Sequence, residues 1–383
     1  MQILILYDCL FPHTIGGAER WYRNLAERLA EEGHDVTYVT LRQWPRGERP
    51  DVRGVRVRVA GPRLQLYTAG GRRRIAPPLV FGAGVLWHLL RHGRGYDVVH
   101  TASFPYFSLL AAGLLRRFGR YRLVVDWHEL WSREYWREYL GPVGGRIGWL
   151  VQLAGLRTRQ TTFCFARVTA RRLRAEGIGG PVTVLEGEYV GPVEPLPPRP
   201  AGNDLVFAGR HIPEKRVPAL VHAFAALRER APELRLVIYG DGPERGEVLA
   251  LIDALGLRDV ASAPGFVGAR VVEEALAGAL CMVLPSRREG YGMVVVEAAA
   301  RGVPSVVVAD PDNAATELVD EGENGFVAAS ADPDELAAAI LRVRAAGPEL
   351  RASTAAWFAR NAERLSLEAS LDTVAAAYDE RRR

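Results

Sequence analysis

The sequence predicts an α/β protein of two Rossmann-like, doubly wound parallel-sheet domains that face each other across a cleft. Short apolar runs alternate with helical patterns in both halves of the chain, and this alternation favours parallel sheets. A length of 383 residues suits two domains better than one. Five prolines within residues 191–202 predict a stiff linker, so we expect domains over 1–195 and 203–364.

In the first half, the apolar run at 3–7 predicts a strand that leads through a loop into a helix over about 18–32. Gly16 and Gly17 end this loop, where they form either a phosphate-facing turn or a simple tight turn. His128 follows a strand and is expected to face the cleft, although an ordinary surface histidine is the alternative. The remaining predicted elements are strands at 36–40, 55–59, 97–101 and 123–126, and helices at about 78–92 and 105–118.

In the second half, a strand at 205–210 precedes a loop flanked by Arg210 and Lys215. A guanidinium can bind an anion through two hydrogen bonds, whereas an ammonium supplies a compact charge. Lys215 is the only lysine among 49 basic residues. This favours a site that requires an ammonium, and a lysine retained by chance is the alternative. We therefore expect both side chains to reach the same anion.

The stretch 281–302 predicts a buried strand, a polar loop and a helix that starts near Gly292. Two carboxylates eight residues apart, Glu289 and Glu297, bracket this loop. The glycines allow close approach of a ligand, and the first amides of the helix favour a diphosphate. The alternative is a surface loop with an ordinary exposed glutamate. The candidate binding residues within the loop are Gly290, Tyr291, Gly292, Met293 and Val294.

Composition points to an ordinary globular chain, with 48% apolar and 25% charged residues. The N-terminus reads as a buried strand rather than a signal peptide, and the longest apolar run, 76–90, is too short to span a bilayer. Three scattered cysteines fit free thiols in a reducing compartment. We expect a cytoplasmic protein, with a peripheral position at the inner face of the membrane as a further expectation.

Charge is divided unevenly along the chain. Residues 1–198 carry a net charge of +11 and residues 199–383 carry −7. A basic first half favours an anionic acceptor or an anionic membrane face, and an arginine-rich surface is the alternative. The aromatic and basic stretch 131–150 predicts either an amphiphilic contact or a plain helix pair. No nucleic-acid motif is present.

Two Asp-Pro-Asp sequences, at 310–312 and 332–334, look like a metal-binding motif. Asp332 fits a helix N-cap followed by a proline in the first turn. Asp310 and Asp312 lie in a predicted turn, and no ligand cluster remains. We therefore expect no metal.

The segment 285–307, PSRREGYGMVVVEAAARGVPSVV, resembles the E-x7-E segment of the retaining glycosyltransferases of family 4, which have the GT-B architecture. Residues 209–215 resemble the G-R-x-x-x-x-K donor loop of that family. Gly16-Gly17 resembles its N-terminal glycine loop, and Gly240 lies in its G-x-G-P loop. His128 matches the histidine that contacts the transferred sugar. Phe266 and Val267 match a turn near the nucleobase.

The resemblance implies a metal-independent, retaining hexosyltransferase without a cofactor. Its donor would be a UDP- or GDP-sugar, and its acceptor a glycan, glycolipid or small-molecule hydroxyl, in envelope polysaccharide or glycoconjugate synthesis. Arg210, Lys215 and the amides at 292–294 would stabilise the leaving diphosphate. Glu289 would hold the donor sugar and Glu297 the ribose. A C-terminal helix at about 365–383 would pack back on the first domain.

Two stretches depart from the family pattern: Glu186-Gly187-Glu188 replaces a Pro-Asn-Gly turn, and at 313–317 only Glu317 of a Gly-Gly-x-Pro-Glu motif remains. Three other functions stay open. A sugar-nucleotide epimerase would use the same donor loop without an acceptor. A pyridoxal-phosphate phosphorylase would require Lys215 as its Schiff base. A non-catalytic subunit would bind a sugar nucleotide without turnover.

Overall fold

The computed structural model describes residues 1–68, 73–194, 196 and 199–379. These residues form two compact units. The first comprises 1–68, 73–185 and 370–379, and the second comprises 186–194, 196 and 199–369. The first unit gives way to the second after Leu185, upstream of the proline-rich stretch, whose residues 195, 197 and 198 lie outside the described part.

The first unit is built on one parallel sheet, which has seven strands in the described residues. Its strand order, β3-β2-β1-β4-β5-β6-β7, is the doubly wound arrangement that the alternating pattern predicted. The strands are β1 (Gln2–Leu6), β2 (Asp35–Leu41), β3 (Val55–Gly61), β4 (Val98–Ala102), β5 (Arg122–Trp127), β6 (Thr161–Cys164) and β7 (Val182–Val184).

Helices cover both faces of this sheet: α1 (Gly17–Glu31), α2 (Ala76–His92), α3 (Tyr106–Gly119), α4 (Arg133–Leu156) and α5 (Arg167–Ala175). The connections through α2, α3 and α4 all step the same way across the sheet. Because such crossovers are right-handed, these three helices form one layer on one face. The layer is tightly packed, since a Cβ added to Gly82 of α2 would lie 2.4 Å from the Cβ of Phe107 in α3.

The predicted helix pair at 131–150 corresponds to the two segments of α4, which is broken at Gly141. α4 contains Gly141 with φ 74° and ψ 178°, directly before Pro142. Proline cannot supply the helical amide bond, and glycine adopts the positive φ without strain. The sequence therefore divides α4 into two segments at this point.

The second unit holds a parallel sheet of six strands within its described residues, in the order β10-β9-β8-β11-β13-β15, and a two-residue pairing of β12 with β14. Its strands are β8 (Asp204–Ala208), β9 (Arg235–Tyr239), β10 (Ala261–Gly265), β11 (Cys281–Leu284), β12 (Arg288–Glu289), β13 (Ser305–Val308), β14 (Asp312–Asn313) and β15 (Gly325–Ala328). The helices are α6 (Val217–Leu227), α7 (Arg245–Ala254), α8 (Ala269–Gly278), α9 (Met293–Ala299) and α10 (Pro333–Leu365). The last helix, α11 (Leu367–Asp379), belongs to the first unit from residue 370 onward.

The alanine-rich C-terminal sequence predicts two helices, over about 334–346 and 350–382, and in the structure the second of these is interrupted. α10 breaks at Gly347, with φ 59°, and the helical path stops again at Ser366, whose extended backbone pairs with Tyr189. This pairing removes Ser366 from the helix, so the prediction was wrong there. The predicted helix start is confirmed, because the carboxylate of Asp332 accepts a hydrogen bond from the Asp334 amide at 3.0 Å.

Across the described residues, no helix combines the length and apolarity needed to cross a membrane. Cys9, Cys164 and Cys281 are buried, and their thiols are not joined in disulfides. Burial raises the pKa of the Cys9 and Cys281 thiols, so neither is a ready nucleophile.

Candidate functional site

The loop after β8 carries the candidate anion-binding residues. Arg210 is exposed, and a short 3-10 turn over Pro213–Lys215 follows it. The Lys215 amide closes this turn on the Ile212 carbonyl at 2.8 Å. Arg216 then takes a left-handed conformation, φ 50°, and begins α6. The turn therefore sets the direction of the Lys215 side chain.

Lys215 and Glu289, which were predicted separately, lie together. The Nζ of Lys215 donates a hydrogen bond to Oε1 of Glu289, and the Ser286 hydroxyl donates to the same oxygen at 2.7 Å. Ser286 is fully buried. Residues at the end of β11, in β12 and in the loop after β8 thus form one polar cluster.

β12 and β14 hold Glu289 in place. Arg288 lies 2.5 Å from the Asp312 carboxylate, and the side-chain amide of Asn313 donates to the carbonyls of Ser286 at 3.1 Å and Val308 at 2.8 Å. Sequence reasoning noted Asn313 only as a departure from the family pattern. It is a structural residue that joins the carbonyl of nearby Val308 to that of Ser286, which lies 27 residues away in sequence.

The Asp-Pro-Asp sequence at 310–312 serves the same loops. Asp310 pairs with Arg216 at 3.1 Å, and Asp312 pairs with Arg288. Guanidinium groups therefore occupy both carboxylates. Within the part of the chain that the structure describes, no group of three or more His, Cys, Asp or Glu residues is placed to hold a metal.

Gly292 directly precedes α9 and has φ 107°. A Cβ at this position would lie 2.7 Å from the Cβ of Ala315, so the site requires glycine for both conformation and space. Met293 and Val294 follow as partly buried residues of the first turn, and their amides belong to the set that has no intrahelical partner. Gly290 lies two residues before Gly292 in the same loop.

Tyr291 and Glu297 differ in their surroundings. The buried Tyr291 donates its hydroxyl to the Glu186 carbonyl at 2.6 Å, so its side chain anchors the loop and only its backbone is left for a ligand. Glu297 lies in the second turn of α9 and is partly buried. Its carbonyl accepts a hydrogen bond from Arg301 at 2.8 Å.

Two further loops of the second unit carry the remaining candidates. Gly240 has φ 115°, and an added Cβ would lie 1.8 Å from the Gly209 carbonyl oxygen. Only glycine allows the loops after β8 and β9 to approach this closely. Phe266 follows β10 with 69% of its surface exposed, which leaves its ring available for stacking, whereas Val267 is partly buried.

The glycine pair of the first unit begins α1. Gly16 is the N-cap and Gly17 the first helical residue. The Glu19 carboxylate folds back over Gly16 and occupies the space that a Cβ would take, at 2.2 Å. Sequence reasoning missed Glu19, although a glutamate three residues after an N-cap is the signature of a capping interaction.

His128 lies directly after β5, with its ring stacked on Phe165 at a centroid distance of 4.5 Å and an angle of 3°. Its Nε2 is buried. Burial lowers the pKa of His128 to about 4, against the opposing effect of Asp126. The ring is therefore uncharged at neutral pH, and it can donate or accept a hydrogen bond.

A buried polar group lies beneath His128. Asp126 accepts a hydrogen bond from the Trp21 indole at 2.7 Å and lies 2.8 Å from Nε2 of His100. Burial opposes ionisation of Asp126, but His100, His128 and Trp21 outweigh it and lower the pKa of that carboxyl. Nδ1 of His100 lies 2.5 Å from the Tyr378 hydroxyl. An aspartate inside an apolar strand was the sequence signal for this network.

A cavity of about 580 Å³ opens at the carboxyl ends of β2 and β3. Arg42, Arg46 and Arg63 line it together with Trp44. No carboxylate in the described residues forms an ion pair with these three guanidinium groups. Because ligands of doubly wound sheets bind beyond the carboxyl ends of the strands, this cavity is a candidate site for an anion.

Two known families match successive parts of the chain. The family described as Glycosyltransferase Family 4 matches residues 15–186, and the family described as Glycosyl transferases group 1 matches residues 194–356. The first match covers most of the first unit, and the second covers the loops around Lys215 and Glu289.

Curated relatives carry related names. An alpha-D-kanosaminyltransferase of Streptomyces kanamyceticus is 34% identical over 46% of this chain and 45% of its own length. An MMP alpha-(1->4)-mannosyltransferase of Mycolicibacterium hassiacum is 28% identical over 88% of both chains. This chain therefore spans less than half of the first relative and most of the second.

Solved structures show the same fold. A sucrose-phosphate synthase from Thermosynechococcus elongatus superposes with a TM-score of 0.79 over 99% of this chain and 98% of its own, at 20% identity. Anabaena Alr3699/HepE, solved in complex with UDP-glucose, gives 0.70 over 98% and 99%, at 18% identity. With two parallel-sheet units and matches along most of its length, the chain belongs to the family 4 glycosyltransferases and has the GT-B fold.

Proposed function

We propose that this protein transfers a hexosyl group from a nucleoside diphosphate sugar to a hydroxyl acceptor, with retention of anomeric configuration. The observation that carries the proposal is the cluster of Lys215, Glu289 and Ser286, in which one oxygen of Glu289 receives both hydrogen bonds. An ammonium beside a carboxylate supplies one group for a phosphate and one for sugar hydroxyls.

On donor binding, Lys215 exchanges its carboxylate partner for the diphosphate. Together with Arg210 and the amides of Met293 and Val294, it stabilises the negative charge that develops on the leaving group. Glu289 is then left to accept hydrogen bonds from the donor sugar. Ser286 keeps the carboxylate oriented during this exchange.

The transfer itself follows a front-face path. The bond between the anomeric carbon and the diphosphate oxygen breaks as the acceptor oxygen bonds to the same face of that carbon. The acceptor proton passes to the departing diphosphate, so no enzyme nucleophile is required. His128 remains neutral and donates or accepts a hydrogen bond at the transferred sugar.

The donor is best assigned as a UDP-sugar, with a GDP-sugar as the alternative. Support comes from Alr3699/HepE, which was solved in complex with UDP-glucose. The exposed Phe266 would stack on the base, and Val267 would lie beside it. Glu297 would hold the ribose. Gly240 would allow the donor-side loops to lie close together. The backbone would also lie close to the substrates at three other glycines, Gly16, Gly17 and Gly290.

No metal or other cofactor enters this scheme, because basic side chains and amides stabilise the leaving group. The acceptor is a glycan, a glycolipid or a small molecule. The arginine-lined cavity of the first unit supports an acceptor that carries an anionic group, for which Arg42, Arg46 and Arg63 would provide the contacts. Envelope polysaccharide or glycoconjugate synthesis at the cytoplasmic side of the membrane is the proposed setting.

A thermal-shift screen of UDP, GDP and their sugars tests the donor assignment, because a ligand that binds only the folded state raises its apparent stability. Product analysis with the stabilising sugar nucleotide then separates the functions. Transfer supports the proposal, whereas an altered sugar without an acceptor identifies an epimerase. Binding without turnover for every acceptor identifies a non-catalytic subunit, and no stabilisation by any sugar nucleotide overturns the proposal.

A further inference from the structure

The outer side of the α2–α3–α4 layer exposes an unusual amount of apolar surface. Along each helix these residues lie three, four or eight positions apart, and together they form one outward stripe. Nine large apolar side chains of the described residues on or next to these helices have 47–73% of their surface exposed: Ile75, Leu79, Trp87, Leu90, Leu114, Phe118, Val143, Ile147 and Leu150. We call this surface the outer face.

Neither solubility nor folding requires the exposed apolar residues of the outer face. The opposite sides of the same helices already fill the core against the sheet, for example through Phe81, Leu109 and Leu156. Contiguous apolar patches on monomers are usually small, and larger ones mark contacts with proteins or membranes. A function that keeps these residues exposed therefore accounts for them better than packing does.

Arginines border this face at one end. α2, α3 and α4 connect parallel strands, so their C-termini lie at the same edge of the sheet. The exposed arginines at these ends are Arg91, Arg94, Arg117, Arg120, Arg157 and Arg159. The helix dipole favours basic groups at helix C-termini, which accounts for the position of these arginines. It does not account for the apolar surface beside them.

Acidic residues are scarce here. Asp97 is the only acid in sequence segments 73–120 and 140–160, and its carboxylate accepts a hydrogen bond from the Gln2 amide at 2.7 Å. Among the described residues, no carboxylate forms an ion pair with the six bordering arginines. The border is therefore a region of uncompensated positive charge.

Trp87 and Arg91 show how the two kinds of surface meet. The Arg91 guanidinium lies 3.4 Å from the centroid of the exposed Trp87 ring. Tryptophan and arginine are both favoured where an apolar layer meets charged headgroups. This pair lies in the last two turns of α2, between the apolar stripe and the arginine border.

We propose that the outer face docks on the surface of an anionic phospholipid bilayer. The apolar stripes enter the headgroup region, and the bordering arginines contact lipid phosphates. A second copy of the chain fits less well, because it would cover the apolar stripes but offer no anionic groups to the arginine border. Nucleic acid would satisfy the arginines but not the aliphatic stripes.

The structure also refines which residues of the 131–150 stretch are available. Tyr135 and Trp136, in the first segment of α4, are buried. Val143, Ile147 and Leu150, beyond the break at Gly141, are exposed. The second segment is therefore the part of the stretch that contributes to docking.

Vesicle flotation tests this proposal with purified full-length protein and no substrate. Vesicles of phosphatidylcholine alone are compared with vesicles that also contain phosphatidylglycerol. We expect binding to the anionic vesicles only, weakened by salt. The variant Trp87→Ser/Leu114→Ser/Phe118→Ser should reduce the partition coefficient about 10-fold or more, and Arg94→Gln/Arg117→Gln should reduce it by a similar factor, because each basic residue near the surface contributes several-fold.

Two matched variants in the second unit serve as controls. Leu249→Ser/Leu255→Ser/Val271→Ser removes exposed apolar side chains elsewhere, and Arg235→Gln/Arg270→Gln removes exposed arginines elsewhere. Both should float with anionic vesicles like the parent protein. Circular dichroism and thermal unfolding without ligand confirm that each variant is folded, and this check does not depend on the donor proposal.

Three outcomes would overturn the inference. The parent protein fails to bind anionic vesicles, or the outer-face variants bind as well as the controls. Alternatively, sedimentation shows a dimer that the outer-face substitutions dissociate, which would make the face a self-association surface. Failure of sugar transfer would leave the flotation result unchanged, because docking needs no donor.

Discussion

The ammonium of Lys215 donates a hydrogen bond to the carboxylate of Glu289, and the two side chains are only 18% and 10% exposed. The protein thus holds its two candidate catalytic groups in a pair. A donor diphosphate must compete with Glu289 for the ammonium. Each partner should therefore respond differently when the other is removed.

Substituting Lys215→Ala removes the compact cation from the leaving-group site. We expect turnover to fall about 10²-fold or more, the scale of losing one preorganised donor in an active site. Steady-state kinetics at saturating donor measures this effect. Arg258→Ala, which removes an exposed basic residue of the same unit, should leave the rate unchanged, and an active Lys215→Ala variant would contradict the assigned role.

Substituting Glu289→Gln separates binding from turnover. The amide keeps the size of the side chain but releases Lys215 from its anionic partner, so the nucleoside diphosphate should bind up to about 5-fold more tightly, the upper range for a partly exposed ion pair. Turnover should fall, because the sugar hydroxyls lose a charged acceptor. Calorimetry with UDP and a rate assay test the two parts, and weaker UDP binding would disprove the competition.

The ring of His128 should not limit activity through its own ionisation above about pH 5, because burial lowers its pKa to about 4. Unfolding releases this ring, whose ordinary pKa is 6.5. As pH falls from 6.5 towards 4, the unfolded chain binds a proton first, so the free energy of unfolding decreases. Above pH 6.5 both forms are neutral and the effect vanishes.

NMR titration of the assigned His128 ring measures this pKa directly. Unfolding of His128→Gln from pH 7 to pH 4.5 should show a weaker loss of stability than the parent protein. His88→Gln is the matched control, because burial lowers the pKa of His88 to about 4 as well. This substitution should remove a separate part of the loss of stability between pH 7 and pH 4.5. A His128 ring that titrates near pH 6.5 would contradict the prediction.

Sequence periodicity was sufficient for the architecture, because buried parallel strands and amphipathic helices leave local patterns. The strand at 36–40 was predicted within one residue of each of its observed bounds, Asp35–Leu41. Ser366 shows where local patterns fail. Its neighbours favour helix, and its extended backbone depends on pairing with Tyr189, a partner far away in sequence.

The same distinction applies to the candidate site. Lys215 was predicted because it is the only lysine, and Glu289 because of its spacing from Glu297, but neither clue predicts that they form a pair. Asn313 and the partners of Asp126 act through hydrogen bonds between distant segments, which only the folded chain reveals. The arginine-lined cavity likewise joins residues from two separate strand ends.

Substituting Arg42→Gln/Arg63→Gln tests the cavity of the first unit. A sugar phosphate and the corresponding uncharged sugar are offered as acceptors side by side with the same donor. We expect KM for the phosphorylated acceptor to rise about 10-fold, since hydrogen bonds to charged groups contribute about 1.5–3 kcal/mol. KM for the donor should not change.

Arg49→Gln is the control for this cavity, because Arg49 is exposed in the same segment but is not among the lining residues. It should match the parent protein with both acceptors. An equal change for charged and uncharged acceptors would show that Arg42 and Arg63 do not read an anionic group.

Substituting Gly292→Ala should destabilise the second unit and weaken donor binding together. The new methyl group would face a φ of 107° and the Ala315 side chain at 2.7 Å, which together should cost about 2–4 kcal/mol. Gly246→Ala is the matched control, because it lies in α7 with nothing within 4 Å of an added Cβ, and alanine favours helix. Chemical denaturation should show a loss for the first variant and none for the second, and UDP titration should show weaker binding for Gly292→Ala alone. Equal stability of the two variants would mean that the start of α9 adjusts to the added methyl group. The close packing of Gly292 against Ala315 would then not be needed for donor binding.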